Sequence, residues 1–368
     1  MSMLQFPPSF PLSFIVVGSG FRSLFYARIA KRFPKFFHIH YLLCRTEEKA
    51  ARISAEYGIP TSVSADACIR SGPDFVVIAT GWDSVYATAL EWIERGFPVL
   101  LETPAGTTLD ELISLWNLKE KHGARIQVAE QYHRYPIIAA GIEAVHQGKL
   151  GDPYSVFLSL AHNYHGASLI RRMLQIEPQP MRLHGERFIT PVICTDSRSG
   201  PVTDGSTTDQ IRSHVNITFQ SGKSACYDFA DVQYRSFIRS RHVNVQGQKG
   251  EWNDCFLRYV KYAGKDNWMP RQEMLLPYLD PRYRELETKE LLDSCQNWSP
   301  SLSLPQVDDE YALATMLYDM KEFLECGTEI YPLAEALEDA YTSLLFEKSF
   351  SNPGQEIISQ PMPWHKNS

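Results

Sequence analysis

From Ser13 onward the chain alternates short apolar runs with amphipathic stretches. SFIVV (13–17), HIHYLLC (38–44), DFVVIAT (74–80), PVLLE (98–102) and RIQVAE (125–130) are strand-length and rich in β-branched or apolar residues. Between them lie FRSLFYARIAKRF, TEEKAARISAEYG, SVYATALEWIERG and LDELISLWNLKEKHG, the helical candidates. Gly58 and Gly123 stand where a last helical turn should stop, and Gly96 does the same before PVLLE. Strands and helices alternating at this period predict right-handed βαβ units, hence a parallel sheet with helices on both faces.

After about residue 150 the pattern changes. PYSVFLSLAH, MRLHGERFITPVICT, RSHVNITFQ, SACYDFA and RSFIRSRHVNVQG follow one another with turns and few helical periods. This predicts an α/β domain with a largely antiparallel open sheet. Residues 261–306 are polar, proline-containing and weakly periodic, an irregular excursion with room for one helix. DDEYALATMLYDMKEFLECG and PLAEALEDAYTSLLFEKSF then predict two amphipathic helices, the second with Pro332 in its first turn. At 368 residues two domains are expected, 1–130 and 131–368, with the closing helices able to pack back on the first.

Composition narrows the partners. Hydrophobic content of 44% and charge of 21% are those of a globular protein. A net charge of -7 without a clustered basic face excludes a nucleic-acid partner. Seven cysteines with no Cys-x-x-Cys pair point to neither a zinc site nor a disulfide framework, and so to the cytoplasm. The start, MSMLQFPPSFPL, lacks basic residues and is broken by Pro7, Pro8 and Pro11, which is wrong for a signal peptide. No apolar run approaches the roughly 18 residues of a membrane helix, so no membrane partner is expected.

VVGSGFRS joins the first strand to the first helix. Gly18 suits the tight turn, Gly20 the close approach of a pyrophosphate, and Ser23 stands where a third glycine would allow close helix packing. With Ser19, Phe21 and Arg22 they make a candidate phosphate cradle at a helix start. The second strand ends in Arg45 and Thr46 where an NAD site often carries an acid; Arg45 suits a 2'-phosphate, so NADP is favoured and NAD is second. Thr80 ends DFVVIAT, and LLETPAG ends its strand in Glu102-Thr103-Pro104. Both strand ends are candidate cofactor positions, with Glu102 expected beside the nicotinamide end.

With this cradle and these strand ends, the chain resembles the Gfo/Idh/MocA family of oxidoreductases. Gln131, Tyr132 and Pro136 and the Gly148-Lys149-Leu150-Gly151 stretch extend the likeness; HVNVQGQKGEW (242–252) and the closing helices carry it more loosely. The resemblance implies a Rossmann domain followed by an α/β domain whose open sheet carries the substrate face and commonly an oligomer interface, giving a homodimer or homotetramer. It also exposes departures. The family's usual Glu-Lys-Pro has Thr103 at the lysine position, and its usual aspartate, histidine and second aspartate correspond to Tyr164, Ser168 and Arg171.

Moving the proton of a hydroxyl then falls to other groups, since histidine, lysine or tyrosine can do it. His165 is the first candidate acid/base and Tyr164 the second, with Thr103 offering a hydroxyl near the same chemistry. His162, Tyr132, His133, Arg134 and Arg171 are candidate contacts for a small polar or anionic substrate. His162 and His165 are three apart, yet no carboxylate or cysteine accompanies them, so no metal is expected. The reading is an NAD(P)-dependent oxidoreductase acting on a sugar, cyclitol or related polar compound. Its rivals are a dinucleotide-binding sensor without turnover and a glycosidase-like enzyme using bound NAD.

Overall fold

The computed structural model describes residues 9–197, 200–265, 267–300 and 302–365. Pro7 and Pro8, which weighed in the reading of the N-terminus, lie outside the described residues. The chain opens with β1 (Leu12–Val17), α1 (Phe21–Arg32), β2 (Phe37–Leu43), α2 (Glu47–Tyr57), β3 (Thr61–Ser62), α3 (Ala65–Arg70) and β4 (Phe75–Ile78). It continues through α4 (Trp82–Glu94), β5 (Val99–Leu101), α5 (Leu109–His122) and β6 (Ile126–Val128). The six strands form one sheet in the order β3-β2-β1-β4-β5-β6, every pair parallel. The order reverses beside β1, so the β1 and β4 ends flank the crevice where such sheets hold a ligand.

The central strands β1, β4, β5 and β6 form where the apolar runs predict them because they are buried on both faces; Phe14, Ile15, Val16, Phe75, Val76, Val77, Ile78 and Leu100 are 0% exposed. The helices end as predicted, with Gly58 and Gly123 capping in the left-handed region. The α5 start is a capping box, Thr108 accepting from the Glu111 amide while Glu111 reaches back. The two-residue β3 and the six-residue α3 went unseen in the sequence because neither is long enough to show a period.

The rest of the chain gives α6 (Pro136–His146), β7 (Pro153–Ser159), α7 (Asn163–Leu174), β8 (Met181–Ile193), β9 (Asp196–Ser197), β10 (Gly200–Pro201) and β11 (Thr207–Phe219). After these come β12 (Ser224–Ala230), β13 (His242–Gly247), β14 (Gly250–Asn253), β15 (Phe256–Tyr262), β16 (Trp268–Met274), α8 (Lys289–Gln296), α9 (Gln306–Cys326), α10 (Leu333–Phe350) and β17 (Ile357–Ile358). Nine strands form a sheet in the order β16-β15-β14-β13-β7-β12-β11-β8-β17. All its pairs are antiparallel except β7 with β12.

Two details correct the sequence reading. The stretch expected to be irregular from residue 261 carries the end of β15 and all of β16 before α8. β16 escaped notice because both its faces are largely exposed and Pro270 interrupts it, which only an edge strand tolerates. Pro332 precedes α10 instead of sitting in its first turn, its carbonyl accepting from the Glu335 and Ala336 amides.

The chain divides into two compact units. The first runs to Gln131 and takes in Asp280–Thr288 and Gln306–Ala340; the second comprises Tyr132–Leu279, Lys289–Pro305 and the chain from Tyr341. Within the first unit α9 packs on α1 through paired side chains: Arg22 with Asp309, and Arg28 with Glu310. Among the described residues no helix is long and apolar enough to cross a membrane.

Candidate functional site

In the first unit the turn after β1 contains two glycines with different jobs. Gly18 has φ +122, and a Cβ there would lie 2.2 Å from the Ala79 carbonyl oxygen, so this glycine lets the β1 end and the β4 end close on each other. Gly20 has an ordinary φ of -87, and a Cβ there would meet nothing within 4 Å. Open space at Gly20, directly before the α1 amides, is what a pyrophosphate requires. Ser23 is 0% exposed and its hydroxyl donates to Ala79 O at 3.2 Å, holding α1 close to the sheet as a third glycine would. Ser19 lies in the turn between β1 and α1, and Phe21 opens α1 with its ring 53% exposed and edge-on to Phe25.

The neighbouring strand ends complete the crevice. Arg45 is exposed just beyond β2, whose Leu43 is level with Val17. Thr46 caps α2, its hydroxyl oxygen accepting from the Lys49 amide at 3.3 Å. Thr80 follows β4, and its Oγ1 is enclosed with no hydrogen-bond partner among the described residues. An enclosed hydroxyl is costly unless something bonds it, so Thr80 and the space at Gly20 both fit a dinucleotide. Trp82, which the sequence reading passed over, begins α4 at 58% exposure beside this crevice.

Glu102 is only 7% exposed, and its carboxylate is held by the protein itself. Tyr26 Oη donates to Oε1 at 2.5 Å, and Arg22 Nε lies 3.6 Å from Oε2. Arg22 also grips Asp309, at 2.9 Å. Burial pushes the Glu102 carboxyl up, against the pull of Arg22, and it also pushes the Tyr26 phenol well up. Glu102 and Arg22 thus tie β5, α1 and α9 together. The Thr103-Pro104 bond is cis, and Thr103 is half-buried beside the strand end. Asp308, next to Asp309, has its carboxyl pushed up to about 7 by burial and by the Asp309 charge.

In the second unit the sequence candidates cluster around the start of α7. Asn163 takes φ +33, a region asparagine tolerates, and its amide donates to Tyr227 Oη at 2.8 Å. That bend brings His162 and Tyr164, two apart, into contact with their rings nearly perpendicular, His162 Nε2 lying 3.0 Å from Tyr164 Oη. The other ring nitrogen, Nδ1, is 2.6 Å from the hydroxyl of Tyr234. Tyr132 Oη reaches the same Tyr234 hydroxyl at 3.2 Å. His165 is 3% exposed, with its ring 4.3 Å from that of Tyr132, 4.5 Å from Tyr164 and 4.8 Å from His162.

Loss of hydration, with the charges of Arg172 and Arg134, holds the His133 imidazole well below the usual histidine range, so it is neutral at pH 7. Arg134 Nε lies 3.4 Å from the same ring. Arg171 is 2% exposed, so it is buried within the second unit and not a solvated helix-surface arginine. The structure therefore brings Tyr132, His162, Tyr164 and His165 into one cluster and adds Tyr234, which sequence reasoning missed. Tyr234 lies in a short helical turn, Asp231–Arg235, with no periodicity to mark it.

Comparison with known proteins locates this architecture. Residues 12–130 match the GFO_IDH_MocA family model, described as "Oxidoreductase family, NAD-binding Rossmann fold". No curated protein matches the chain. Among solved structures, an oxidoreductase from Agrobacterium radiobacter in complex with NAD+, L-tartaric acid and magnesium superposes with TM-score 0.67 at 16% identity, covering 94% of this chain and 98% of that one. The WlbA dehydrogenase from Chromobacterium violaceum, in complex with NADH and UDP-GlcNAcA, gives TM-score 0.64 at 12% identity over 97% and 99%. A putative myo-inositol dehydrogenase from Sinorhizobium meliloti gives 0.62 at 16% identity over 94% and 99%. At these identities the structural likeness is one of fold.

Proposed function

We propose that this chain, a Gfo/Idh/MocA oxidoreductase by its Rossmann domain at residues 12–130, transfers hydride between a nicotinamide dinucleotide and a sugar, cyclitol or related polar compound. The observation that carries the reading is the cluster of proton-exchanging groups at the start of α7, with Tyr164 Oη 3.0 Å from His162 Nε2, where the resemblance leaves the family's usual aspartate and histidine replaced. Acid/base chemistry needs a donor and acceptor in hydrogen-bonded contact, and neither partner need be the usual residue.

The first unit binds the dinucleotide through the amides after Gly20, with Thr80 and the exposed Arg45 as side-chain contacts. Arg45 selects NADP over NAD by pairing with the 2'-phosphate. When bound, the nicotinamide supplies or accepts the hydride. The second unit handles the proton through Tyr164 and His165, while Tyr132, His133, Arg134, His162 and Arg171 recognise a polar or anionic substrate. Thr103 shapes the pocket with its hydroxyl and does not act as an acid. The cytoplasm suits seven free thiols. A homodimer or homotetramer through the second-unit sheet is supported by Phe188, Ile189, Ile193 and Ile211, all at least 40% exposed on β8 and β11.

The test is to denature the purified protein and identify the released nucleotide, then to screen sugars, cyclitols and sugar acids for a change in nicotinamide absorbance. Turnover with one of these classes is expected. Dinucleotide binding with no turnover on any of them would favour the sensor reading, which the threonine in Glu102-Thr103-Pro104 makes the main rival. Release of tightly held NAD with turnover on glycosides only would replace the oxidoreductase by the glycosidase-like reading.

A further inference from the structure

The geometry points to a second small-molecule site in the first unit, at the edge of the parallel sheet opposite the cofactor crevice, which takes a compact organic carboxylate through Arg125. The site lies wholly within that unit and does not depend on the oxidoreductase reading.

A cavity of about 690 Å³ opens at the starts of β4, β5 and β6, where α3, α4 and α5 end. Small-molecule sites have volumes of about 300–1,000 Å³, so this one can enclose a ligand. Ile69, Ile93 and Leu118, each from the last turns of one of the three helices, give it apolar walls, and Phe97 adds a ring before β5. Pro73 and Pro98 are buried at its floor. The glycines at its mouth, Gly72, Gly96 and Gly123, are exposed, and a Cβ at any of them would meet nothing within 4 Å. The entrance is therefore open.

Two arginines line the cavity, and their situations are opposite. Arg95 is exposed and pairs with Glu91, one helical turn back, at 2.7 Å. Arg125 is half-buried directly before β6, and among the described residues no carboxylate lies within ion-pair distance of it. Its Nη2 donates to the Phe323 carbonyl at 2.5 Å, an oxygen that also accepts the Gly327 amide at 3.0 Å, and its guanidinium lies 5.3 Å over the Phe323 ring. These contacts anchor the side chain on α9 but bring it no negative charge. Burial lowers its pKa from the ordinary arginine value, yet a guanidinium stays charged, so the cation is short of a counter-ion.

The other polar groups of the lining do not supply one. Asp74 is turned to β1, its Oδ2 accepting from the Ser13 amide and from the Ser13 hydroxyl, both at 2.7 Å. Glu94 is exposed at the rim. Three helix C-termini would by themselves favour a cation. Here their closing turns use the carbonyls: the Gly72 amide donates to Ile69, the Gly96 amide to Ile93 and the Ala124 amide to Leu118. A carboxylate with an apolar body meets what remains, its oxygens on the Arg125 guanidinium and its body against the three aliphatic side chains. The chain from Asp74 at the cavity to Thr80 at the crevice runs along β4 for roughly 20 Å, so such a ligand and a dinucleotide occupy separate places.

Three probes of similar size and different charge test the site: 3-phenylpropionate, its neutral amide and 3-phenylpropylamine. Each is titrated into the full-length protein while the methyl signals of Ile69, Ile93 and Leu118 are followed by NMR, assigned from Ile69→Val, Ile93→Val and Leu118→Met. The carboxylate should shift all three signals and bind about tenfold more tightly than the amide, the amine should bind least, and NADP should not displace the carboxylate. Arg125→Met should bring the carboxylate down to the affinity of the amide, while Arg125→Lys should retain part of the difference. Ala124→Phe, which fills the cavity and keeps the arginine, should abolish the shifts and decides the matter if Arg125→Met does not fold. Unmoved methyl signals, an amide or amine that binds as tightly as the carboxylate, displacement by NADP, or undiminished carboxylate binding in folded Arg125→Met or Ala124→Phe would overturn the proposal.

Discussion

The β-strand ends of the first unit and the start of α7 in the second are both polar, enclosed and rich in side-chain bonds, yet they are built from opposite materials. Around Glu102 the bonds are ionic: Arg22 spans Glu102 and Asp309, and Tyr26 adds a hydroxyl. Charges this enclosed must be matched from within the fold, and here they are matched by other elements of the same unit. The proposed dinucleotide contacts avoid this knot and fall on the backbone after Gly20 and on Thr80 and Arg45. Around His162 the bonds join neutral tyrosine and histidine groups, which can pass a proton without creating a stranded charge. A charged knot is suited to holding elements in place, a neutral chain to moving protons.

That difference predicts where substitutions will be felt. Tyr164→Phe should lower kcat about 1000-fold while leaving the melting temperature nearly unchanged, because it removes one hydroxyl from a chain that bears no charge. Steady-state kinetics beside a thermal melt checks this, and a matching loss of stability would erase the contrast. Glu102→Ala should do the reverse, destabilising the protein by about 3 kcal/mol in urea unfolding by stripping Arg22 and Tyr26 of a buried partner.

Gly20→Val should weaken dinucleotide binding about 100-fold in a folded protein, since a Cβ there meets no protein atom within 4 Å and the side chain would take the space proposed for the pyrophosphate. Calorimetric titration with NADP reads it. Gly18→Ala should fail as a fold instead, because its Cβ would collide with Ala79 O in a left-handed conformation.

Asp308 offers a pH test of the charged region. Its carboxyl is raised to about 7 in the folded protein, so the folded state holds the proton more tightly than the unfolded chain. The stability it contributes is complete below the unfolded value near 4 and is lost as pH rises through about 7. Asp308→Asn should therefore be about 2 kcal/mol more stable than wild type at pH 8 and no more stable at pH 4, read from unfolding midpoints at each pH. The smallest effect is expected at Arg45, where Arg45→Asp should shift the NADP-to-NAD affinity ratio about tenfold, since one exposed ion pair is replaced by repulsion. Equal weakening of both cofactors would remove the argument for NADP.

The first unit was legible because doubly buried parallel strands print as continuous apolar runs and their helices print their stops, as at Gly58 and Gly123. Half-exposed strands print less: β16, at the sheet edge with Pro270 inside it, read as irregular chain. The candidate site divided in the same way. Gly18, Gly20 and Ser23 could be named from their spacing because the turn that uses them is local. Tyr234 could not, since it reaches His162 from 72 positions along the chain.

By itself the sequence determined the alternation of strand and helix, the parallel sheet, the glycine turn after β1 and the residue types available for proton transfer. These depend on periods and neighbours a few positions apart, where side-chain chemistry and backbone geometry are coupled directly. The tertiary structure decided how those residues are employed: that Arg22 and Glu102 face Tyr26 and Asp309, that Arg171 is buried, and that Tyr234 closes on His162. The reason is that a polar group's role is set by whichever partner satisfies its donors and acceptors, and in an enclosed site that partner comes from another element brought close by packing.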